Sequence, residues 1–120
     1  MTKKGIGVDI FEIDRMQIIL EGNQKKMEKI FTSNELSYCL SKLKPSQHLA
    51  ARFAGKEAVI KAINAILEHK LSLNQIEILN DSKGMPVVKI HDKKFNDLII
   101  SISLSHTEKI ATAMVFAEVS

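Results

Sequence analysis

Two carboxylates, a lysine and a histidine are the side chains of this sequence whose types and surroundings favour chemistry. Asp9 follows two glycines in GIGVDI, and Glu57 lies at the rim of the apolar stripe of the helical pattern ARFAGKEAVIKA. Lys61 follows Glu57 by four residues, and His106 ends a run of alternating serines. Two carboxylates suit Mg²⁺, whose remaining ligands are water and phosphate oxygens. A cation between Asp9 and Glu57 is therefore one hypothesis, provided that the fold brings them together.

The alternative for Glu57 is an ordinary ion pair on a helix surface. Lys61 lies four residues after Glu57, and such a pair stabilises a helix by about 0.2–0.5 kcal/mol. Gly55 argues for something more, because a glycine inside a helix costs about 1 kcal/mol relative to alanine. It predicts the close approach of another element. Lys56 is expected to extend its stem along apolar neighbours and keep its ammonium in water.

Composition and cysteine content exclude several classes of protein. The chain has 120 residues, 45% hydrophobic and 26% charged, with a net charge of +3, which is typical of one globular domain spanning residues 1–120. The first apolar run is interrupted by Asp9 and Glu12, so we expect no signal peptide, no membrane span and a cytosolic location. Cys39 and four scattered histidines lack zinc spacing, and few aromatic residues argue against nucleic acid as a partner.

Residues 5–10 show the alternation of a β-strand. Ile6, Val8 and Ile10 form one apolar face, and the other face, which carries Asp9, is almost without side chains. We therefore expect Asp9 to stand in an open space. The sequence GIG lacks the third glycine and the preceding strand of a dinucleotide-binding motif, so that function is excluded.

Helical patterns follow. Residues 14–20 and 23–30 have helical spacing, with Gly22 as a bend between them. Thr32 and Glu35 have the spacing of a capping box for a helix that reaches residue 43. The longest helical pattern covers residues 47–68, after a break at Pro45.

The second half of the chain is mostly strand-like. Residues 75–79 and 86–90 predict a hairpin, residues 93–98 one or two helical turns, and residues 99–105 and 110–119 two further strands. This order predicts an α+β fold, in which an antiparallel sheet packs on a long central helix.

Four stretches carry a resemblance to a known family. They are GIGVDI with Arg15 after it, FTSNEL, ARFAGKEAVIKA and SLSHTEKIATAMV. In this order and spacing the sequence resembles the holo-acyl-carrier-protein synthases, the small bacterial type of 4′-phosphopantetheinyl transferase. The likeness covers nearly the whole chain and implies the fold of that family.

The resemblance implies Mg²⁺-dependent transfer of 4′-phosphopantetheine from coenzyme A to a serine of acyl carrier protein, in fatty acid biosynthesis. Asp9 and Glu57 match the metal ligands, and Lys61 matches a lysine that faces the phosphates and stabilises or protonates the leaving phosphate. Glu57 or a metal-associated water would accept the serine proton. Residues matched to the adenosine-phosphate end of coenzyme A, or to the loop beside it, are Arg52, Gly84, Pro86, His106 and Thr107.

The resemblance also implies partners. Acyl carrier protein is acidic, and the predicted docking surface is the most basic region of the chain, aided by Met16 as an exposed apolar contact. Its basic residues are Arg15, Lys25, Lys26 and Lys29. The family usually has more arginine here, and lysine makes weaker bidentate contacts with carboxylates. Family members are homotrimers with active sites between subunits.

Two other classes of function fit the same residues. A non-catalytic basic module would bind an acidic protein or a nucleotide without any need for Mg²⁺ or Asp9. A hydrolytic or nucleotide-transfer enzyme would use the two carboxylates to turn over coenzyme A without a carrier protein. The presence of Asp9, Glu57, Lys61 and His106 together favours the transferase.

Overall fold

The computed structural model describes residues 2–120 and has the predicted α+β architecture. The strands are β1 (Lys3–Glu12), β2 (Ile76–Asn80), β3 (Pro86–Ile90), β4 (Ile99–His106) and β5 (Ile110–Val119). The helices are α1 (Ile13–Gly22), α2 (Gln24–Ile30), α3 (Ser33–Leu40) and α4 (Pro45–Asn64). Two single turns of 3-10 helix cover Leu73–Gln75 and Lys93–Phe95.

The strands form an antiparallel three-stranded sheet and a separate hairpin. In the sheet the order is β1, β5, β4, so the last strand of the chain lies in the middle. Asp9 on β1 is opposite Ala113 on β5, and His106 on β4 is opposite Ala111. Strands β2 and β3 pair with each other. The predicted hairpin and final strand are confirmed.

Glycines on β1 allow this strand to lie directly against α4. A Cβ atom on Gly5 would lie 1.9 Å from the Ala62 carbonyl oxygen, and one on Gly7 would lie 1.8 Å from that of Ala58. Any side chain at these positions would separate the strand from the helix. Gly55 plays a similar part within α4, since a Cβ there would lie 2.6 Å from Cδ1 of Ile78. The close approach predicted from Gly55 is confirmed.

The apolar face of β1 points away from the core. Ile6, Val8 and Ile10 are 65%, 53% and 62% exposed, and the glycine-bearing face is the one that packs on α4. A period of two separates the faces of a strand, but it does not say which face finds a partner. Here the alanines of α4 accept a bare backbone, so the larger side chains point away from the core.

Caps separate the three short helices as expected. The Asn23 side chain accepts a hydrogen bond of 3.0 Å from the backbone N–H of Lys26 and so caps α2, which begins two residues after α1 ends at Gly22. The capping box at α3 is present: Thr32 accepts from the Glu35 N–H at 3.2 Å, and Glu35 accepts from the Thr32 N–H at 2.9 Å. Both predictions are confirmed.

Lys56 does not extend to water, which corrects the expectation from sequence. Its side chain is fully buried, and its ammonium lies 2.6 Å from Oε1 of Glu35. It also donates to three backbone carbonyls, those of Ile30, Leu73 and Ile76, at 2.6–3.0 Å. Oε2 of Glu35 accepts from the backbone N–H of Ile78 at 2.8 Å. These contacts join α2, α3 and β2 to the middle of α4.

Two helices end earlier than predicted. Helix α3 stops at Leu40 instead of residue 43, because the N–H of Lys42 bonds to the Cys39 carbonyl and tightens the last turn. Helix α4 starts at Pro45 and stops at Asn64 instead of residue 68, because the N–H groups of Ile66 and Leu67 both bond to the Ile63 carbonyl.

No helix within residues 2–120 combines the length and the apolar character that crossing a membrane requires.

Candidate active site

Asp9 and Glu57 lie close enough to influence each other, across the contact between β1 and α4. Burial raises the pKa of the Glu57 carboxyl above its ordinary value, the negative charge of Asp9 raises it further, and Lys61 acts in the opposite direction. Glu57 is half-buried, and so is Asp9. The glycine contacts that seat β1 on α4 are therefore also what brings these two carboxylates into one site.

Lys61 belongs to this site through Asp9. Its ammonium lies 2.9 Å from the carbonyl oxygen of Val8 and 3.1 Å from Oδ1 of Asp9. The expected pair between Glu57 and Lys61 is wrong for this structure, because in residues 2–120 the ion pair of Lys61 is with Asp9. The backbone carbonyl of β1 gives the ammonium a second acceptor, which a helix surface does not offer.

The donor set fits Mg²⁺ better than a softer metal. From Thr2 to Ser120 there is no cluster of three or more histidine, cysteine, aspartate or glutamate side chains that could hold a metal ion. Asp9 and Glu57 would thus supply two hard oxygen ligands. Mg²⁺ keeps several waters and commonly binds through one or two carboxylates plus substrate phosphates. Burial is the main cause of the raised pKa of Glu57, and the neighbouring negative charge of Asp9 adds to it.

A second feature is a cleft of about 250 Å³ on the other flank of α4. Four of the residues predicted to bind the nucleotide end of coenzyme A line it together: Arg52, Gly84, Pro86 and His106. The other lining residues are Tyr38, Gln47, His48, Ala51, Asn80 and Leu104. No acidic side chain lines the cleft in the part of the chain that the structure describes, so its charged and polar groups favour an anion.

Arg52 is the fixed cation of this cleft. It is only 3% exposed, and its Nε donates to the Ile78 carbonyl at 3.1 Å. Its two terminal nitrogens make longer contacts, of 3.5 Å with the His48 carbonyl and 3.4 Å with Oδ1 of Asn80. Three of its five N–H donors are thus engaged, and two are left for a ligand.

Tyr38, His48 and Asn80 also line the cleft, although no motif in the sequence marks them as binding residues. The Arg52 guanidinium lies 4.6 Å from the ring centre of Tyr38, and the Lys42 ammonium lies 4.5 Å from the same ring. Burial lowers the pKa of His48, and the nearby charges of Arg52, Lys42 and His106 lower it further. Only His48, four residues before Arg52, shares a helical spacing that could have indicated it.

The loop beside the cleft has a built-in requirement for glycine. Gly84 has a φ of +83°, a backbone conformation that residues other than glycine rarely adopt. The Asp81 side chain holds this turn by accepting from the backbone N–H groups of Lys83 and Met85 at 2.8 and 3.0 Å. This geometry sets Gly84 and Pro86 at the rim of the cleft.

Thr107 has a structural task next to His106. Its hydroxyl oxygen accepts from the backbone N–H groups of Lys109 and Ile110, at 3.2 and 3.1 Å, and so closes the turn between β4 and β5. It is not among the residues that line the cleft. Its contribution to the cleft is to hold the turn that carries His106.

The basic surface lies on α1 and α2. Arg15, Lys25, Lys26 and Lys29 are all exposed. Met16 is completely buried, so its prediction as an exposed partner contact is wrong. It faces the core because it follows Ile13 by three residues on α1, and Ile13 is buried too. The exposed apolar residue of this helix is Ile18, at 71%.

The chain matches the family model of the 4′-phosphopantetheinyl transferase superfamily over residues 5–115. The chain belongs to this superfamily. It is 40% identical to a holo-[acyl-carrier-protein] synthase of Geobacter sulfurreducens, over 95% of this chain and 96% of the relative. It is 46% identical to one from Thermodesulfovibrio yellowstonii, over 93% and 96%.

Solved structures agree with this assignment. The structure of a holo-[acyl-carrier-protein] synthase from Helicobacter pylori in complex with coenzyme A superposes with a TM-score of 0.78. It is 30% identical and covers 92% of this chain and 96% of that one. The fold and the family predicted from the four sequence stretches are thus confirmed.

Proposed function

We infer that this chain transfers the 4′-phosphopantetheine group of coenzyme A to a serine of apo-acyl carrier protein and releases adenosine 3′,5′-bisphosphate. Its superfamily and its near full-length relatives support this reaction. The observation that carries the inference in the structure is the meeting of Asp9 and Glu57 beside Lys61. Phosphoryl transfer depends on positioning and charge neutralisation, which these three residues supply.

Asp9 and Glu57 would hold Mg²⁺, in keeping with the donor set. When bound, Mg²⁺ neutralises negative charge on the pyrophosphate of the substrate. Lys61, held by Asp9 and the Val8 carbonyl, presents a positive charge to the phosphate oxygens. Glu57, or a water held by the metal, would accept the serine proton.

The cleft around Arg52 would take the adenosine-phosphate end of coenzyme A. Arg52 has two free donors, His106 lines the same cleft, and none of the lining residues within residues 2–120 is acidic. A phosphate bound in the cleft would complete the hydrogen bonds of the guanidinium.

The two parts of the site face different sides of α4. At 100° per residue, Arg52 and Glu57 point about 140° apart around the helix axis. Asp9 and His106 also lie on opposite edge strands of the sheet. One coenzyme A molecule can contact both parts more easily if the cleft of one copy lies beside the carboxylates of another. This arrangement supports a homotrimer with active sites between subunits.

The outer face of the sheet supplies a surface for such assembly. Ile6, Val8 and Ile10 on β1 and Met114 on β5 are all more than half exposed. Val8 lies directly opposite Met114 in the register, so the apolar side chains are contiguous. Exposed apolar patches of this kind commonly mark protein interfaces.

The transfer assay tests the function. The protein is mixed with coenzyme A, Mg²⁺ and a purified apo-acyl carrier protein, and the carrier is weighed by intact mass spectrometry. A gain of one phosphopantetheine, lost with EDTA and in Glu57→Ala, is the expected result. Coenzyme A binding without transfer to any of several carriers would favour the binding module, and coenzyme A turnover without a carrier would favour the hydrolase.

Mixing two inactive variants tests the shared sites. Arg52→Ala and Glu57→Ala are each expected to lose activity, while refolding them together should restore a fraction of it, since some sites combine an intact cleft with intact carboxylates. No recovery in mixed oligomers would contradict the shared site.

A second variant tests the oligomeric state. Val8→Lys should reduce the mass measured by light scattering from that of a trimer to that of a monomer.

The basic surface of α1 and α2 would steer the acidic carrier protein. Lys25, Lys26 and Lys29 are exposed and Ile18 adds an apolar contact. We expect KM for the carrier to rise steeply with salt while KM for coenzyme A changes less.

The cytosolic location stays a prediction. So does a single domain over residues 1–120, which the family match to residues 5–115 supports.

A further inference from the structure

We propose that Tyr38, with Asn80, is a positioning residue that holds Arg52 ready for phosphate and so lets the enzyme distinguish coenzyme A from analogues without the 3′-phosphate. The inference rests on the proposed function of the cleft. It concerns residues outside the four stretches that carry the family resemblance: Tyr38 lies near the end of α3, and Asn80 is the last residue of β2.

Several cationic or protonatable side chains lie close together in and beside the cleft. Arg52 and Lys42 are both cations beside the same ring, and His48 and His106 lie near them. Like charges repel, and no carboxylate lines the cleft in residues 2–120 to compensate them. This repulsion needs an offsetting attraction to keep the Lys42 ammonium beside Arg52 when no ligand is bound.

The Tyr38 ring supplies that attraction. Both cations lie about 4.5 Å from its centre, within the range of a cation–π contact. The edge of the His48 ring also meets it, at 6.1 Å between ring centres with an angle of 85°. One aromatic ring thus contacts residues from α4 and from the loop before it.

The hydroxyl group of Tyr38 completes the arrangement through Asn80. It accepts a hydrogen bond of 2.7 Å from Nδ2 of Asn80, which fixes the amide so that Oδ1 faces the Arg52 guanidinium at 3.4 Å. The Asn80 amide thus bridges the Tyr38 hydroxyl and the Arg52 guanidinium from an exposed position at the end of β2. Ring and amide together limit the directions that the two free Arg52 donors can take.

The test is direct binding of adenosine 3′,5′-bisphosphate and of adenosine 5′-monophosphate, measured by titration calorimetry on the assembled protein. The quantity of interest is the ratio of the two Kd values, since loss of general stability affects both ligands alike. Wild type should prefer the bisphosphate. Tyr38→Leu should reduce that preference about 10-fold, in line with loss of a desolvated cation–π contact and a hydrogen bond.

Two milder variants separate the ring from the hydroxyl. Tyr38→Phe keeps the ring and should reduce the preference only about 2–3-fold, and Asn80→Ala about 3-fold. Ser37→Ala changes an exposed neighbour on α3 and is the matched control, with an unchanged ratio. Equal weakening of both ligands in Tyr38→Leu, or no preference in wild type, would overturn the proposal. The transfer assay is scored separately, so failure of the enzymatic function and failure of this inference are distinguishable.

Discussion

Lys56 and Glu57 are neighbours in sequence, yet they belong to two opposite kinds of charge cluster. Lys56 is fully buried, and its charge is matched by Glu35 and three carbonyl oxygens. Glu57 is half-buried beside a second carboxylate, with one exposed lysine nearby. The first cluster has no hydrogen-bonding capacity left for a ligand. The second has more negative charge than its surroundings compensate, and it is therefore the one that can bind a cation.

The charge of the buried Lys56 is compensated, whereas the half-buried Glu57 lies beside a second carboxylate. Burial alone lowers the pKa of Lys56, and Glu35 acts against that shift. Buried side-chain nitrogen and oxygen atoms without a partner are absent from the described part of the chain, residues 2–120. A saturated cluster, in which every charge and hydrogen-bonding group has a partner, stabilises one fold. An unsaturated cluster, which has uncompensated negative charge, lowers stability but leaves groups that can bind a ligand.

The largest expected effect comes from breaking the saturated cluster. Lys56→Met should destabilise the protein by about 3–5 kcal/mol, because it leaves the buried Glu35 carboxylate without its cation. Urea unfolding measures this. The double variant Lys56→Met/Glu35→Gln removes the uncompensated charge and should recover part of the loss. Equal stability of the single and double variants would show that charge is not the reason.

The unsaturated cluster should respond in the reverse way. Glu57→Ala should lower kcat by about 1,000-fold, as expected when a group that organises the transition-state charge is removed. Its unfolding midpoint should not fall. The steady-state transfer assay and thermal unfolding are measured on the same preparation. If Glu57→Ala lost activity only because it lost stability, the two clusters would not differ in role.

Lys61 should give an intermediate result. Lys61→Met removes the positive charge next to Asp9 and should lower kcat about 100-fold. Lys61→Arg keeps the charge and is the matched control, with a smaller loss. Steady-state kinetics with saturating coenzyme A measures both. If the two variants lost activity equally, the charge would not be the property that matters.

The smallest expected effect sharpens the comparison through pH. The ordinary pKa of glutamate is 4.5, and that of Glu57 is raised in the folded protein. Ionising Glu57 therefore costs stability as pH rises from the unfolded value through the folded one. In EDTA at pH 7, Glu57→Gln should raise Tm by roughly 1–3 °C. Below pH 4 the two proteins should unfold together, and a gain that persists there would have another cause.

Local signals in the sequence determined much of the fold. The capping box of Thr32 and Glu35, the bend at Gly22 and the strand covering Ile110–Val119 depend on neighbouring residues, and each lies where it was predicted. The alternation in β1 gave the strand but not its orientation. Which face is buried depends on Ala58 and Ala62, about fifty residues later, and no pattern within the strand contains that information.

The candidate site divides in the same way. Asp9, Glu57 and Arg52 were found through recognisable stretches, and the structure adds their distances and partners. Tyr38, His48 and Asn80 reach the cleft from α3, α4 and β2 only after the chain folds. Lys56 was misjudged because its acceptors are backbone carbonyls, which every residue has and no sequence pattern marks.

The position of β5 between β1 and β4 has a consequence for the order of folding. β1 forms its ladder with β5, so this ladder cannot form before Ile110–Val119 is available for pairing. Contacts between distant parts of a chain form slowly, because the loop between them must close first. The ladder of the strand that carries Asp9 is therefore among the last parts of the fold to form. Activity that depends on this strand should return during refolding no faster than β1 and β5 pair.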